Sequence, residues 1–143
     1  MTQPNELNLT VSRIIKAPAA RIFDAWLDPQ MLARFMLPGE NMSVPDAETD
    51  AVEGGRFRIV MAAGDKHMPH GGTYRTIDRH SRIVFTWESP FSTDESIVTL
   101  DFKPMEDATE VVLHHTKFVD EQSRDDHKGG WTSILGHLEQ VFA

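Results

Sequence analysis

The sequence contains no cysteine, which excludes disulfide bonds, thiolate metal ligands and a cysteine nucleophile. It also lacks any apolar run approaching the ~20 residues that a membrane-spanning helix requires. The first ten residues, MTQPNELNLT, have neither the basic start nor the apolar stretch of a signal peptide. These absences predict a cytoplasmic location and no insertion into membranes.

Positive charge is scarce. Fourteen Lys and Arg residues face twenty-two Asp and Glu residues, and the formal net charge is −8. The basic residues are scattered and form no stripe, so the chain is expected to repel nucleic acids and anionic lipid surfaces. We therefore predict no nucleic-acid partner.

Common catalytic motifs are missing as well. The sequence has no G-x-S-x-G elbow, P-loop, dinucleotide-binding fingerprint or H-E-x-x-H motif. We therefore assign no catalytic residue. Enzymatic activity stays possible, but a binding function is favoured over it. The length of 143 residues fits one domain spanning residues 1–143.

The first forty residues predict one strand and two short helices. Leu9 to Lys16 has the apolar spacing of a strand. Pro18 stands where a helix begins, and apolar residues follow at helical spacing to Leu27. Asp28-Pro29 repeats the start signal, and Pro38-Gly39 ends the second helix.

From Met42 the apolar residues alternate with polar ones, which is typical of strands with one buried face. We predict strands around Phe57 to Met61, Gly72 to Ile77, Ile83 to Trp87, Ile97 to Phe102 and Thr109 to Thr116, with a loop over residues 62–69. The short turns between them predict an antiparallel meander.

The last segment predicts a long amphipathic helix from Glu121 to Phe142, with Asp120 as its N-cap. Its apolar stripe comprises Trp131, Ile134, Leu135, Leu138, Val141 and Phe142. Gly129, Gly130 and Gly136 interrupt this helix, at a cost of about 1 kcal/mol each relative to Ala. The glycines indicate either a kink or the close approach of another surface.

The order of these elements predicts an α+β fold. Six or seven antiparallel strands cannot bury their apolar face alone, and the C-terminal helix is available to cover it. A curved sheet wrapped around that helix, with the two short helices after the first strand, satisfies both requirements.

Five fragments of the sequence, in order, also resemble a known family: APAARIFDAWLDPQMLARF, EGGRFRI, GGTYRTID, RIVFTWES and HKGGWTSILGHL. They look like the activator-of-heat-shock-protein-90-ATPase homologue family, which belongs to the START-like (SRPBCC) helix-grip superfamily. The resemblance runs from about Leu9 to Leu138. It implies a cavity between the sheet and the long helix, in a superfamily that includes lipid carriers, hormone receptors, cyclases and coenzyme-binding proteins.

Two departures from the family pattern limit what the resemblance implies. The eukaryotic co-chaperone that gives the family its name has an additional N-terminal domain, for which these 143 residues leave no room. Many relatives also carry a Trp pair followed by Gly-Pro after the second helix, where this sequence has Phe35-Met36-Leu37-Pro38. The second departure bears on which ligand is bound.

The candidate ligand-binding residues are those that the alternation directs at the last helix, together with their counterparts on the helices. They are Phe35, Met36, Phe57, Ile59, Met61, Tyr74, Phe85, Trp87, Leu100, Phe102, His115, His127, Trp131 and Leu135. A ligand site of this kind is mostly apolar, with a few polar groups that fix orientation. The alternative for each residue is that it fills the core.

The seven histidines do not predict a metal site. His67 and His70 are three apart in the predicted loop without a third ligand nearby in sequence. His114 and His115 point to opposite faces of a strand. We therefore predict neither a metal nor another cofactor. His115 and His127 can reach the cavity, where each could orient a polar ligand or move a proton; otherwise each is a hydrogen-bonded packing residue.

Three functions remain open. The leading hypothesis is the binding of a small hydrophobic or amphipathic molecule, with the final helix and its glycines acting as a gate. The alternatives are a chaperone-accessory or stress-related interaction and a cyclase- or lyase-like enzyme that uses the cavity histidines. The sequence does not decide whether the chain forms a homodimer.

Overall fold

The computed structural model describes residues 7–89, 96–118 and 120–143. Its strands are β1 (Leu7–Ile15), β2 (Met42–Thr49), β3 (Arg56–Ala63), β4 (Lys66–Asp78), β5 (Arg82–Thr86), β6 (Ile97–Pro104) and β7 (Thr109–Phe118). Its helices are α1 (Ala19–Ala25), α2 (Pro29–Phe35) and α3 (Glu121–Val141). The predicted order of elements is confirmed.

The strands form one seven-stranded sheet in the order β1-β7-β6-β5-β4-β3-β2, and every neighbouring pair is antiparallel. Strands β2 to β7 follow one another as a meander, and β1 adds to the far side of β7. Helices α1 and α2 connect the two edge strands, while α3 packs on β1 and α2. The chain thus has the α+β helix-grip fold that the sequence predicts.

Two side-chain caps fix where helices begin. The Asp28 carboxylate accepts a hydrogen bond of 2.9 Å from the backbone N–H of Gln30 at the start of α2. The Asp120 carboxylate accepts one of 2.8 Å from Ser123 at the start of α3. Both aspartates satisfy backbone donors that a first helical turn leaves unpaired. Helix α1 ends earlier than predicted, at Ala25.

The prediction of a loop over residues 62–69 is wrong. Strand β3 continues to Ala63 and β4 begins at Lys66, with Ala63 paired to Lys66 across the turn. Gly64 has a φ of +63°, the conformation that glycine supplies in a two-residue hairpin turn. His67 and His70 therefore lie on a strand, where a spacing of three puts them on opposite faces.

Glycine allows a close approach within the sheet at Gly72. A Cβ atom there would lie 1.9 Å from the carbonyl oxygen of Thr86 and 2.7 Å from the ring of Phe57. The missing side chain lets β4 cross close to the end of β5, next to the irregular register between Tyr74 and Thr76. Strand β4 can therefore bend over the interior.

The interior lies between the concave face of the sheet and the three helices. The largest fully buried side chains include Trp131 and Leu135 of α3, Phe23 of α1 and Phe35 of α2. Among the described residues, no helix is both long and apolar enough to cross a membrane.

Candidate functional site: a cleft between the sheet and the C-terminal helix

A cleft of about 160 Å³ opens beside Trp131. The β3–β4 hairpin forms one wall, α3 forms the opposite wall, and the segment after α2 closes one end. Its lining residues are Pro38, Met61, Met68, His70, Trp87, Asp126, His127, Gly130, Trp131 and Ile134. A cavity of about 150 Å³ is enough to hold benzene, so the cleft has the volume of about one aromatic ring.

A second, much smaller space lies deeper in the molecule. Its volume is about 10 Å³, close to the least that one water molecule needs. Its lining residues are Trp26, Leu32, Met36, Phe57, Ile59, Tyr74, Phe85 and Trp87. Trp87 lines both spaces.

The predicted ligand-binding residues divide into three groups. Met61, Trp87, His127 and Trp131 line the cleft. Met36, Phe57, Ile59, Tyr74 and Phe85 line the deeper space. Phe35, Leu100, Phe102, His115 and Leu135 are buried and line neither of the two. A role for any of them in ligand binding stays a prediction.

Sequence reasoning missed six residues of the cleft wall: Pro38, Met68, His70, Asp126, Gly130 and Ile134. Ile134 was visible in the apolar stripe of α3. Met68 and His70 were hidden by the wrong loop prediction, although strand alternation would have placed both on the face that carries the buried Tyr74. Gly130 marks a close approach, because a Cβ there would lie 3.2 Å from the Cβ of Pro38.

His115 is completely buried and engaged on both ring nitrogens. The indole N–H of Trp131 donates a hydrogen bond of 3.0 Å to Nδ1, and Ser96 Oγ is hydrogen-bonded to Nε2. Since Nδ1 accepts, a neutral ring carries its proton on Nε2 and donates it to Ser96. Burial, together with the nearby His127 and His114, lowers the pKa of His115 to about 3. His115 is thus a neutral link between β7, the segment before β6, and α3.

The two histidines of the cleft wall, unlike His115, each use Nδ1 on a backbone carbonyl oxygen. Nδ1 of His70 donates to the carbonyl oxygen of Met68 at 3.0 Å, and Nδ1 of His127 donates to that of Ser123 at 2.8 Å. In the neutral ring this leaves each Nε2 as an acceptor. The pKa of His70 is lowered to about 4, mainly by burial; the backbone hydrogen bond to Met68 raises it in part, and His127 lowers it.

The three tryptophans differ in their hydrogen bonding. Trp131 Nε1 has His115 as its acceptor. Trp87 Nε1 and Trp26 Nε1 are buried and have no hydrogen-bond partner within the part of the chain that the structure describes. Trp87 packs between His70 and Trp131, with ring centroids 5.0 Å and 4.9 Å away. The cleft wall therefore contains one unused donor on an otherwise tightly packed ring.

Tyr74 lies in the interior on β4. It is 3 % exposed and packs against the rings of Phe57 and Phe85. Burial raises the pKa of its hydroxyl above the ordinary value, and the negative charge of Asp50 adds to the rise. The hydroxyl is therefore protonated at neutral pH.

A larger groove of about 630 Å³, lined mostly by charged and polar residues, lies over β2, β3 and β4. Arg56 forms two hydrogen bonds with Glu88, of 3.0 and 3.1 Å, and Arg58 pairs with Asp46 at 2.6 Å. These side chains are about half exposed, so both arginines face solvent. Glu53 accepts a hydrogen bond from the backbone N–H of Ile77 and acts as a turn residue.

Within residues 7–89, 96–118 and 120–143, no group of three or more His, Asp or Glu side chains is placed to hold a metal ion. The cleft residues offer apolar surface and a few hydrogen-bonding groups. Their chemistry suits the binding of an organic molecule.

Comparison with known proteins defines the family. The model of the family described as "Activator of Hsp90 ATPase homolog 1-like protein" matches residues 16–143. The chain belongs to this family. The resemblance seen in the five sequence fragments is thereby confirmed, and the helix-grip fold agrees with the START-like superfamily.

Solved structures of similar fold come from several bacteria. A protein from Chromobacterium violaceum is 25 % identical with a TM-score of 0.85, over 94 % of this chain and 96 % of that one. An AHSA1-like protein from Aeromonas hydrophila is 22 % identical with a TM-score of 0.82, over 94 % and 90 %. A Rhizobium leguminosarum protein is 24 % identical with a TM-score of 0.81, over 96 % and 95 %. A comparison with curated proteins finds no match.

Proposed function

We propose that this protein binds a small, mainly apolar molecule in the cleft beside Trp131. The observation that carries the proposal is the space of about 160 Å³ that side chains of the sheet and α3 leave unfilled. Pockets of this kind combine an apolar lining with a few polar groups, and START-like folds commonly bind hydrophobic ligands. The lack of cysteine is compatible with action in the reducing cytoplasm.

The volume limits the size of the ligand. Ligand sites for drug-sized molecules are about 300–1,000 Å³, and this cleft is smaller. A one-ring compound fits as the cleft stands, and a longer molecule must extend into solvent or displace wall residues. Met61 and Met68 can give way at low cost, because methionine is flexible and unbranched.

The start of α3 is suited to act as a gate. Asp126, His127 and Gly130 on this helix line the cleft. Gly129 has open space where its Cβ would lie, so packing does not explain the glycine there. Two successive glycines weaken a helix locally, and bending at this point would move Asp126 and His127 away from the hairpin.

Binding accounts for the cleft better than acid–base catalysis at His115. Both ring nitrogens of His115 contact protein groups, and its low pKa keeps it neutral at physiological pH. The activation of a chaperone ATPase is the activity for which the family is named, and for this chain it stays a prediction. A homodimer stays a prediction.

Blocking the cleft tests the proposal. Gly130→Leu places a side chain at the cleft wall, whereas Gly129→Leu places the same side chain in open space on the next residue. Purified protein is examined by native mass spectrometry and by organic extraction. We expect a bound small molecule in the wild type and in Gly129→Leu, and its loss in Gly130→Leu.

Met68→Trp serves as a second blocking variant, because it fills the cleft from the hairpin and leaves α3 unchanged. Circular dichroism confirms that each variant is folded. Retention of the molecule by both blocking variants would show that it binds elsewhere and would overturn the proposal.

A further inference from the structure

The polar groups of the cleft define what kind of ligand it accepts. Trp87 is 3 % exposed, and its indole N–H has no partner among the described residues. His70 and His127 each use Nδ1 on a backbone carbonyl, which leaves Nε2 as an acceptor in the neutral ring. The residues of the wall thus carry one unpaired donor, which is buried behind the cleft surface, and two acceptors beside an apolar space of one ring. A ligand oxygen reaches this N–H when flexible wall side chains such as Met61 and Met68 give way.

The charges around the cleft disfavour anions. Among the described residues, its lining contains no Lys or Arg and does contain the carboxylate of Asp126. The low pKa of His70 keeps that ring neutral at pH 7. A bound carboxylate or phosphate would lose its hydration without gaining a cation, which is costly. The net charge of −8 adds a general repulsion.

We infer that the cleft selects neutral ring compounds bearing a hydroxyl group, and that Trp87 Nε1 donates a hydrogen bond to the oxygen of that group. The hydroxyl proton is then donated to Nε2 of His70 or His127, so that one group satisfies a donor and an acceptor of the wall. This inference rests on the proposed binding function and names its ligand class.

Trp87 is the tryptophan suited to this role for two reasons. Trp131 also lines the cleft, but its N–H is already bonded to His115. Trp26 has an unpaired N–H but lines only the deeper space. A buried donor without an acceptor is costly to leave unpaired, so a ligand oxygen at Trp87 removes a penalty that the empty cleft carries.

The experiment uses three probes of similar size: phenol, toluene and benzoate. Binding is measured by titration of the ¹⁵N-labelled protein, in which each of the three tryptophans gives one indole N–H signal, assigned with Trp→Phe variants. We expect phenol and toluene to bind, benzoate to bind at least about tenfold more weakly than phenol, and phenol to shift the Trp87 signal downfield. Toluene should not produce that downfield shift.

The Trp87→Phe variant keeps an aromatic ring and removes the N–H. We expect the ratio of phenol affinity to toluene affinity to fall by about two- to tenfold, the range for one neutral hydrogen bond. Trp26→Phe is the matched control, because it removes an equally unpaired N–H that does not line the cleft. In Trp26→Phe the ratio of phenol affinity to toluene affinity should be the same as in the wild type.

The outcomes separate this inference from the proposed function. If toluene binds but benzoate binds as well as phenol, or if the ratio is unchanged in Trp87→Phe, the inference is overturned and the apolar site stands. If none of the three probes binds, both this inference and the proposed binding function fail for ligands of this size. Should Trp87→Phe not fold, the wild-type shift of the Trp87 signal decides: equal shifts with phenol and toluene contradict the hydrogen bond.

Discussion

At the scale of single residues, His115 connects three parts of the fold through its two nitrogens. Strand β7 carries it, Ser96 precedes β6, and Trp131 belongs to α3. Strand alternation correctly predicted that His115 and His114 point to opposite faces of the strand. On the other face, Nδ1 of His114 is hydrogen-bonded to the Thr10 hydroxyl at 2.8 Å. The partners of His115 were not predictable, since they come from segments whose position depends on the packing of the whole sheet.

The low pKa values of His115 and His70 make stability depend on pH. They lie at about 3 and about 4 in the folded protein, below the ordinary value near 6.5. Below pH 6.5 the unfolded chain gains protons that the folded protein does not bind. The free energy of unfolding is therefore highest above about pH 6.5 and falls as the pH decreases towards the folded values, by up to about 1.4 kcal/mol per pH unit for each group.

His115→Gln should remove the His115 part of this dependence. At pH 7.5 the variant leaves buried groups of Ser96 and Trp131 imperfectly paired, and we expect a loss of about 1–3 kcal/mol. Because glutamine does not titrate, the gap to the wild type should narrow between pH 7.5 and pH 5. Urea denaturation at several pH values measures both effects.

The control is His114→Gln on the opposite face of the same strand, where we expect a loss of less than about 1 kcal/mol. A gap between His115→Gln and the wild type that stays constant from pH 7.5 to pH 5 would contradict the low pKa of His115.

At the scale of elements, helix α3 was predicted almost to the residue, because its cap and its apolar stripe are local signals. The sequence showed that three glycines are unusual in this helix, but the surroundings of Gly129 and Gly130 differ. A Cβ at Gly130 would lie 3.2 Å from Pro38, whereas one at Gly129 would meet no atom of the described residues within 4 Å. Sequence spacing could not distinguish a close approach from an open position.

Alanine substitutions should show this difference between the two glycines. Gly129→Ala should stabilise the protein by about 0.5–1 kcal/mol, since alanine restricts the unfolded chain and favours the helix. Gly130→Ala should gain less or lose stability, because Pro38 must move. Thermal unfolding followed by circular dichroism measures both. Equal gains at the two positions would contradict the tight contact between α3 and the segment after α2.

The β3–β4 hairpin is the element that sequence reasoning missed. Pro69 and the polar run before it indicated a loop, yet residues 66–69 pair with β3. The neighbouring strand supplies the hydrogen bonds that stabilise this segment, and such pairing overrides local propensity. The error mattered for the site, because Met68 and His70 lie on this strand and face the cleft.

At the scale of the whole molecule, the order of elements was enough to predict the sheet and the helix that it surrounds. The size of the space between them was not predictable. Whether Met36, Phe57 and Phe85 fill the interior or leave a chamber depends on their rotamers, and they leave only about 10 Å³. The open volume lies further out, between the hairpin and α3.

The central claim is that a ring-sized ligand occupies this outer cleft. A crystal of the protein soaked with 4-bromophenol tests it most directly, because the anomalous signal of bromine locates the compound without assumptions. We predict a bromine peak in the space between Met61, Trp87 and Trp131. Bromine found only in the polar groove over Arg56 and Arg58, or no ordered bromine at a concentration that saturates binding in solution, would contradict the account.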